Sequence, residues 1–183
     1  MMPAGPLMIE HRLIEKVIHL MHEELERIDR KKKADVLFID TAVDFIRTYA
    51  DRCHHGKEED ILFRDLDKKP LSDEQRTILD ELIKEHIHAR KTVKSLITAK
   101  EKYASGNKDA LDSIIGSIRE LVEFYPKHIE KEDRRFFIPC MDYFSREEQD
   151  VMLDEFREFD RKLIHEKYRG IYEKKKNRKV LSF

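Results

Sequence analysis

The sequence predicts an all-α fold, an up-down-up-down antiparallel four-helix bundle with an additional C-terminal helix. Only five Gly and five Pro occur among its 183 residues, whereas a sandwich or barrel of short strands needs such residues at most of its turns. Apolar residues form helical patterns along five long segments, and in the first, third and fourth the stripe positions recur at alternating spacings of three and four, which is the pattern of one buried helix face. The connections between these segments are short, so consecutive helices must run antiparallel.

The first two helices follow an irregular N-terminus, which we expect over residues 1–6 because it contains two prolines and a glycine. The bundle itself is predicted over residues 7–140. Its first helix carries an apolar stripe that begins at Leu7 and ends in the basic run 30–33, which suits the negative end of a helix dipole. The second helix is predicted from about residue 35 to residue 64.

The third and fourth helices have clear boundary signals. Ser72 followed by Gln75 is a capping-box signature that opens the third helix, and the stripe of this helix ends before Gly106. The fourth helix carries a stripe from Ile114 onward and is predicted to stop before Pro139.

The C-terminal helix is predicted over residues 145–176, and a basic tail over residues 177–183. Ser145 with Glu148 forms a second capping-box signature at its start. We expect the tail to be solvated and frayed.

Charge and composition exclude several classes of function. The 37 basic and 38 acidic side chains leave a net charge of −1, which is not the electrostatic pattern of a dedicated nucleic-acid-binding protein. The longest apolar run, 36–39, is far too short for a membrane span, and no signal peptide is recognised. Two cysteines without CxxC spacing fit a reducing compartment. We therefore expect a cytoplasmic protein that binds neither nucleic acid nor a membrane.

Nine histidines stand out in this composition. His11, His86 and His128 occupy positions within apolar stripes, and His54 lies beside Cys53. In an antiparallel bundle all four fall in the same half. A single histidine at the edge of a core usually bonds to a backbone carbonyl, but one on each of four helices at one level favours a shared site.

Two of these histidines bring a carboxylate one helical turn later, His54 with Glu58 and His128 with Glu132. Residues at i and i+4 lie on one helix face, and a divalent metal ion removes the cost of burying glutamates there. Four imidazoles and two carboxylates suit two metal ions that share the carboxylates. Structural zinc prefers four ligands, usually with cysteine, so iron or manganese fits better and zinc is the less favoured choice. The predicted metal ligands are His11, His54, Glu58, His86, His128 and Glu132.

His55 with Glu59 has the same spacing and is an alternative. On an ideal wheel of about 100° per residue, the apolar band of the second helix centres near Cys53 and leaves this pair outside. We therefore select His54 and Glu58, and expect His55 to be an outer group or an extra ligand only if the helix is rotated. The remaining histidines are expected at the surface; they are His19, His22, His88 and His165.

An internal repeat supports a two-fold symmetric site. Residues 54–59 and residues 128–133 both read H-x-x-K-E-[DE], and a Phe follows the Glu by five positions in each, at Phe63 and Phe137. Each half of the bundle would then contribute two histidines and one bridging glutamate.

At these residues the sequence resembles the hemerythrin-like family, whose cation-binding motif is named for its His-His-Glu pattern. The resemblance covers residues 10–139 and rests on Glu10-His11-Arg12, His54-x-x-x-Glu58, Glu85-His86-x-x-x-Arg90 and His128-x-x-x-Glu132. It implies a non-haem di-iron site with an oxo or hydroxo bridge, able to bind O2 or to react with NO or peroxide.

Two departures from the oxygen-carrying hemerythrins bear on function. Those carriers have a fifth histidine one turn after the third-helix ligand, where this sequence has Arg90. They also close the site with an aspartate five residues after the last histidine. Asp133 stands at that position here, although the apolar stripe favours Glu132 as the ligand. The pattern is closer to the bacterial and archaeal branch with four histidines and two glutamates, and it argues against reversible O2 carriage.

The leading hypothesis is a di-iron protein that binds or senses O2, NO or a related oxidant such as peroxide. The four histidines would be terminal ligands, and Glu58 and Glu132 would bridge. We favour a binding protein over an enzyme, and a homodimer through the C-terminal helix is left open.

Two alternatives remain. One is a redox enzyme that reduces peroxide or NO, or donates iron to damaged iron centres, with Tyr49 and Tyr125 near the metal. The other is a metal-free helical bundle that binds another protein through Phe156, Phe159 and Tyr168.

Overall fold

The structure is a computed structural model that describes the backbone of residues 1–180 and the side chains of residues 1–170. It is all-α, as predicted. The helices are α1 (Ala4–Lys31), α2 (residues 36–66), α3 (Asp73–Ala104), α4 (residues 110–141) and α5 (Arg146–Val180).

The first four helices form a closed antiparallel bundle. α3 packs against α4, α4 against α1, and α2 against both α1 and α3. The connections of 32–35, 67–72 and 105–109 are short, which forces each helix to reverse the direction of the one before it. α5 packs on the outside of α2. The predicted bundle with an additional C-terminal helix is therefore confirmed. Across the described helices, none has the length and apolarity together that a membrane crossing requires.

Helices α2 and α4 are not α-helical throughout. In α2, the segments Ile46–His55 and Glu58–Phe63 are π-helical, and in α4 the segment Glu132–Phe136 is π-helical. A π turn closes an i→i+5 hydrogen bond and so holds more residues than the 3.6 of an α turn. Successive side chains in these segments are thus rotated by less than the 100° that a helical wheel assumes.

The helix starts are capped as the sequence predicts. The Ser72 hydroxyl accepts the backbone N–H of Gln75 at 3.2 Å, at the start of α3. At the start of α5, the Ser145 hydroxyl accepts the N–H of Glu148, and the Glu148 carboxylate accepts the N–H of Ser145 at 2.8 Å. This reciprocal pair satisfies two N–H groups that have no partner within the helix.

Both predicted chain ends need correction. α1 begins at Ala4, so residues 4–6 are helical and not irregular. Gly5 and Pro6 fall in the first turn, where an N–H has no intrahelical acceptor and a proline is tolerated. At the other end, α5 continues to Val180, so the backbone of residues 177–180 is helical and not a tail. Lysine and arginine favour helices. Residues 181–183 of the predicted tail lie outside the described residues.

The prediction that α4 stops before Pro139 is wrong, because the helix continues to Met141. Pro139 has no N–H to donate to the carbonyl of Arg135, which is the usual reason why a helix ends before a proline. In this fold the Gln75 side chain on α3 donates to that carbonyl instead, with Nε2 3.1 Å from the oxygen. A contact with a neighbouring helix therefore permits a helix that the local sequence disfavours.

The apolar core is divided in two by a polar layer. One cluster, on the side of the α1–α2 and α3–α4 connections, includes Ile14, Ile18, Met21, Ile39, Ile46, Val93, Leu96, Ile114 and Leu121. The other, at the opposite end of the bundle, includes Leu7, Leu62, Phe63, Leu82, Phe136, Phe137, Met152 and Phe156. Between the two clusters, each of the four helices contributes a histidine to the interior.

Candidate metal centre

Seven buried side chains make up this polar layer, and none is more than 2% exposed. They are His11 on α1; His54, His55 and Glu58 on α2; His86 on α3; and His128 and Glu132 on α4. The fold thus brings together all six residues that the sequence predicts as metal ligands. The seventh is His55, which the sequence-based prediction placed outside the buried face of its helix.

The layer contains two groups of side chains whose donor atoms lie within 4.8 Å of one another. The first, here called the two-histidine set, is His11, His54, Glu58 and Glu132, and the second, the three-histidine set, is His55, His86 and His128. The two carboxylates reach both sets. His86 Nε2 lies 3.4 Å from Glu58 Oε2, and His128 Nε2 lies 3.4 Å from Glu132 Oε2. Glu58 and Glu132 therefore occupy the position that carboxylates shared by two ions would need.

The burial of His55 corrects the sequence-based expectation. An α-helical wheel placed His54 near the edge of the apolar band and His55 beyond it, but both residues are only 1% exposed. The segment Ile46–His55 is π-helical, so its residues are rotated relative to the wheel and two consecutive histidines point inward. π turns occur frequently at functional sites.

Four of the histidines are held by a carboxylate through Nδ1. Ionised carboxylates only accept hydrogen bonds, so Nδ1 donates and Nε2 is directed into the layer. These pairs are His11 with Asp133 (2.7 Å), His54 with Glu10 (2.9 Å), His86 with Glu59 (2.6 Å) and His128 with Glu85 (2.8 Å). Histidines that bind metals in proteins are oriented in this way.

Each of these carboxylates is in turn paired with a cation. The four pairs are Asp133 with Arg12, Glu10 with Lys57, Glu59 with Arg90, and Glu85 with Lys131. The two lysines are those of the repeated H-x-x-K pattern, which the sequence showed without revealing their role. Arg90, at the position of the fifth histidine of oxygen carriers, also bonds Asp51 at 2.7 Å.

Several buried polar atoms of the layer have no hydrogen-bond partners among the described residues. They are Nε2 of His11, His54, His86 and His128, Nδ1 of His55, and both carboxylate oxygens of Glu58 and Glu132. His11 Nε2 lies 3.2 Å from Glu132 Oε2, and His54 Nε2 lies 3.3 Å from Glu58 Oε1, without hydrogen-bond alignment. Leaving a buried polar group unsatisfied costs about 1–3 kcal/mol. Divalent cations between these atoms would satisfy nitrogen and oxygen together, so the donor set fits metal ions.

Electrostatics in the layer favour positive charge. Burial alone would lower the pKa of His54, but the charge of Glu58 and the hydrogen bond to Glu10 outweigh it and raise this pKa to about 10. Burial also opposes a charge on His86, yet Glu132 and Glu59 raise its pKa to about 9. Without metal ions, protons therefore supply the charge that the two glutamates require, and metal binding must displace them.

His55 breaks the two-fold symmetry of the site. His54 and Glu58 on α2 correspond to His128 and Glu132 on α4, so the counterpart of His55 is Ile129. Ile129 is buried in the apolar cluster and offers no ligand. The pKa of His55 is held well below its usual value by burial and by the neighbouring His86 and His128, so its ring is neutral. This single difference gives one set three histidines and the other two.

The amino-acid sequence matches a known family over most of its length. The Hemerythrin HHE cation binding domain matches residues 3–138. The chain belongs to this family. The match includes all seven residues of the polar layer and ends before α5. The predicted family is confirmed, and with it a domain that binds metal cations. No curated protein matches the chain.

The histidines predicted at the surface are exposed, as expected. They are His19, His22, His88 and His165. Cys53, next to His54, is buried, and burial raises the pKa of its thiol to about 12. The thiol donates to Asp160 Oδ1 at 3.2 Å. It is therefore protonated near neutral pH.

α5 reaches the carboxylate that orients His54. Lys57 is buried, and its Nζ lies between Glu10 and Asp160 on α5, 2.9 Å from Asp160 Oδ1. Gly56 allows this approach, because a Cβ there would lie 2.7 Å from the tip of the Phe159 ring. The chain Asp160–Lys57–Glu10–His54 thus connects the C-terminal helix to the polar layer.

Proposed function

We propose that this hemerythrin-family protein is a non-haem di-iron protein that binds or senses O2, NO or a related oxidant. The two-histidine set would hold one iron, the three-histidine set the other, and Glu58 and Glu132 would bridge them. The observation that carries this proposal is the convergence of buried, unpartnered nitrogen and carboxylate oxygen atoms from four helices.

The chemistry of the donors supports iron over zinc. The layer contains imidazole and carboxylate groups and no cysteine, and structural zinc sites close with four ligands that usually include thiolates. Imidazole and carboxylate together suit iron and also manganese. When bound, a pair of iron ions supplies reversible redox chemistry and positions for a small exogenous ligand.

The number of protein donors supports a role in binding a ligand. The three-histidine set with Glu58 and Glu132 would hold one ion, and His11 and His54 with the same two carboxylates would hold the other. Both sets are smaller than the six donors of an octahedral ion. In the oxygen carriers the fifth histidine stands at the position of Arg90. In this chain His55 on α2 would supply the fifth imidazole instead.

The connection to α5 supports a sensor. A change in the position of the His54 ring alters its hydrogen bond to Glu10, and the ion pairs of Lys57 extend this contact to Asp160. The four Nδ1 partners keep the rings in place, and the two apolar clusters exclude water above and below them.

Metal analysis of the purified protein by inductively coupled plasma mass spectrometry, with an absorption spectrum of the same sample, tests the proposal. We expect two irons per chain, near-ultraviolet charge-transfer bands, and a spectral change when the anaerobic reduced protein meets O2 or NO. The variant His86→Ala should lose metal, while His88→Ala, an exposed histidine on the same helix, should not. A wild-type protein without metal would instead favour the interaction bundle.

A further inference from the structure

A cleft between α2 and α3 leads from the surface to the three-histidine set. Its volume is about 300 Å³, and its walls include Ile46, Asp51, His55, Ala89, Val93 and Tyr125. Small-molecule sites in proteins begin at about this size, and one water molecule takes only about 30 Å³. The cleft is therefore much larger than a diatomic ligand requires.

The inner part of this cleft presents an unused hydrogen-bond donor. Tyr125 lies on α4, three residues before His128, and is 1% exposed. Its hydroxyl has no hydrogen-bond partner among the described residues. Burial raises the pKa of this hydroxyl far above neutral, so it keeps its proton. A buried O–H without an acceptor is uncommon, and a ligand oxygen in the cleft would satisfy it.

The charges around the cleft favour an anion. Its lining holds three cationic side chains, Arg47, Arg90 and Lys94, and one carboxylate, Asp51. Asp51 and Glu59 share Arg90 as an ion-pair partner, and Asp51 Oδ1 also lies 3.6 Å from His55 Nδ1. Within the described part of the chain, Arg47 and Lys94 form no ion pair. Arg47 and Lys94 therefore give the entrance a positive charge that no neighbouring carboxylate neutralises in the described residues, and such a charge attracts small anions.

The remaining walls are apolar. Ala89, Val93 and Ile97 on α3 face Ile46 on α2 across the cleft. A ligand that fills this space needs an apolar body as well as an anionic group, because a bare inorganic ion would leave these walls in contact with water.

We propose that this cleft binds a small organic carboxylate. Its anionic head points inward to the Tyr125 hydroxyl and His55, and its apolar body lies along Ala89 and Val93. The assignment extends the proposed function by adding a second class of ligand beside the metal site. It rests on that function in one respect, since metal cations in the three-histidine set strengthen the attraction for the carboxylate.

Calorimetric titration of the full-length, metal-loaded protein tests the proposal, with benzoate as the probe and benzyl alcohol as its uncharged counterpart. We expect benzoate to bind with a stoichiometry of one per chain, and benzyl alcohol to bind at least tenfold more weakly. Tyr125→Phe removes only the hydroxyl, and should weaken benzoate about tenfold or more, as expected for a hydrogen bond to a charged group. Tyr103→Phe, in a tyrosine that packs against the same apolar cluster but does not line the cleft, should have no effect.

A second variant addresses the space itself. Ala89→Leu narrows the cleft without touching Tyr125, and should also weaken benzoate. Metal content is measured on every sample, so that a failure of the di-iron proposal can be distinguished from a failure of the cleft proposal. Two metals per chain with no benzoate binding, or with equal binding by Tyr125→Phe, would overturn the cleft assignment alone. Absence of metal with Tyr125-dependent benzoate binding would overturn the di-iron function and leave the cleft assignment in place.

Discussion

The imidazole ring of His55 stacks on that of His86, with ring centroids 3.8 Å apart and an interplanar angle of 12°. This contact joins α2 to α3 inside the polar layer. It depends on the π-helical segment Ile46–His55, which directs two consecutive histidines of α2 inward. The asymmetry of the candidate site, with three histidines in one set and two in the other, follows from this pair.

The variant His55→Ile introduces the residue found at the symmetry-related position, Ile129. It should remove one histidine while an apolar side chain fills the same space. We expect metal content to fall from two ions toward one per chain, because the three-histidine set loses a ligand while the two-histidine set is unchanged. Elemental analysis after dialysis measures this. His88→Ile provides the control, and retention of two ions by His55→Ile would show that this ring is not a ligand.

Removing metal ions should lower thermal stability. Ions that bind only the folded state at a thousand times their dissociation constant add about 4 kcal/mol, which for a chain of this size corresponds to roughly 10 °C in Tm. Melting curves recorded by circular dichroism with and without a chelator measure the difference. Identical curves for a protein shown to contain metal would mean that the ions do not stabilise the fold.

The stabilisation by metal should grow as the pH rises. His54 and His86 have folded pKa values of about 10 and about 9 without metal, above the ordinary value of about 6.5. Their protonation thus stabilises the metal-free fold fully below about pH 6.5, and this contribution is lost as the pH rises through the folded pKa values. Metal ions compete with the same protons. The Tm difference between loaded and metal-free protein should widen from about pH 6.5 to about pH 9, and a constant difference would contradict the proton competition.

Lys57→Met should be much more destabilising than Lys131→Met, although the two lysines occupy equivalent positions in the sequence repeat. Lys57 is buried between Glu10 and Asp160, and removing one partner of a buried ion pair costs about 3–5 kcal/mol. Lys131 is partly exposed between Glu81 and Glu85, where such pairs contribute at most about 1 kcal/mol. Urea unfolding compares the variants, and equal losses would exclude a special role for the contact with α5.

Gln75→Leu should destabilise the protein by about 1 kcal/mol, because the carbonyl of Arg135 loses its side-chain donor in a partly buried contact. The double variant with Pro139→Ala offers a specific check. An alanine in place of Pro139 would restore a backbone N–H to that carbonyl, so the loss caused by Gln75→Leu should shrink in the Pro139→Ala background. Additive effects in the double-mutant cycle would show that Pro139 and Gln75 are not coupled.

Several features of the site could be predicted because they depend on local spacing. His54 with Glu58 and His128 with Glu132 lie one turn apart, and this spacing places both members of each pair on the same side of their helix in α and in π segments alike. The capping residues Ser72 and Ser145 likewise act on N–H groups three positions away. Interactions of this range are visible in a linear sequence.

The partners that orient the histidines could not be predicted in the same way. His11 meets Asp133 across 122 positions of the chain, and His128 meets Glu85 across 43. The pairs Glu10-His11 and Glu85-His86 were visible, but each glutamate serves the histidine of a different helix. The repeated lysines Lys57 and Lys131 pair with Glu10 and Glu85, so the repeat was a signal in the sequence for these carboxylates.

By itself, the sequence determined the all-α bundle, the family and the six residues predicted as ligands, because the period of the apolar stripes sets which face of each helix is buried. Only the tertiary structure decided that His55 joins the layer, that α4 continues past Pro139, and that Lys57 connects the layer to α5. The apolar periodicity assumes regular α-helices and does not show contacts between distant segments. The π-helical segment of α2 turns His55 inward, Gln75 on α3 supplies a donor to α4, and Glu10 on α1 and Asp160 on α5 enclose the charge of Lys57.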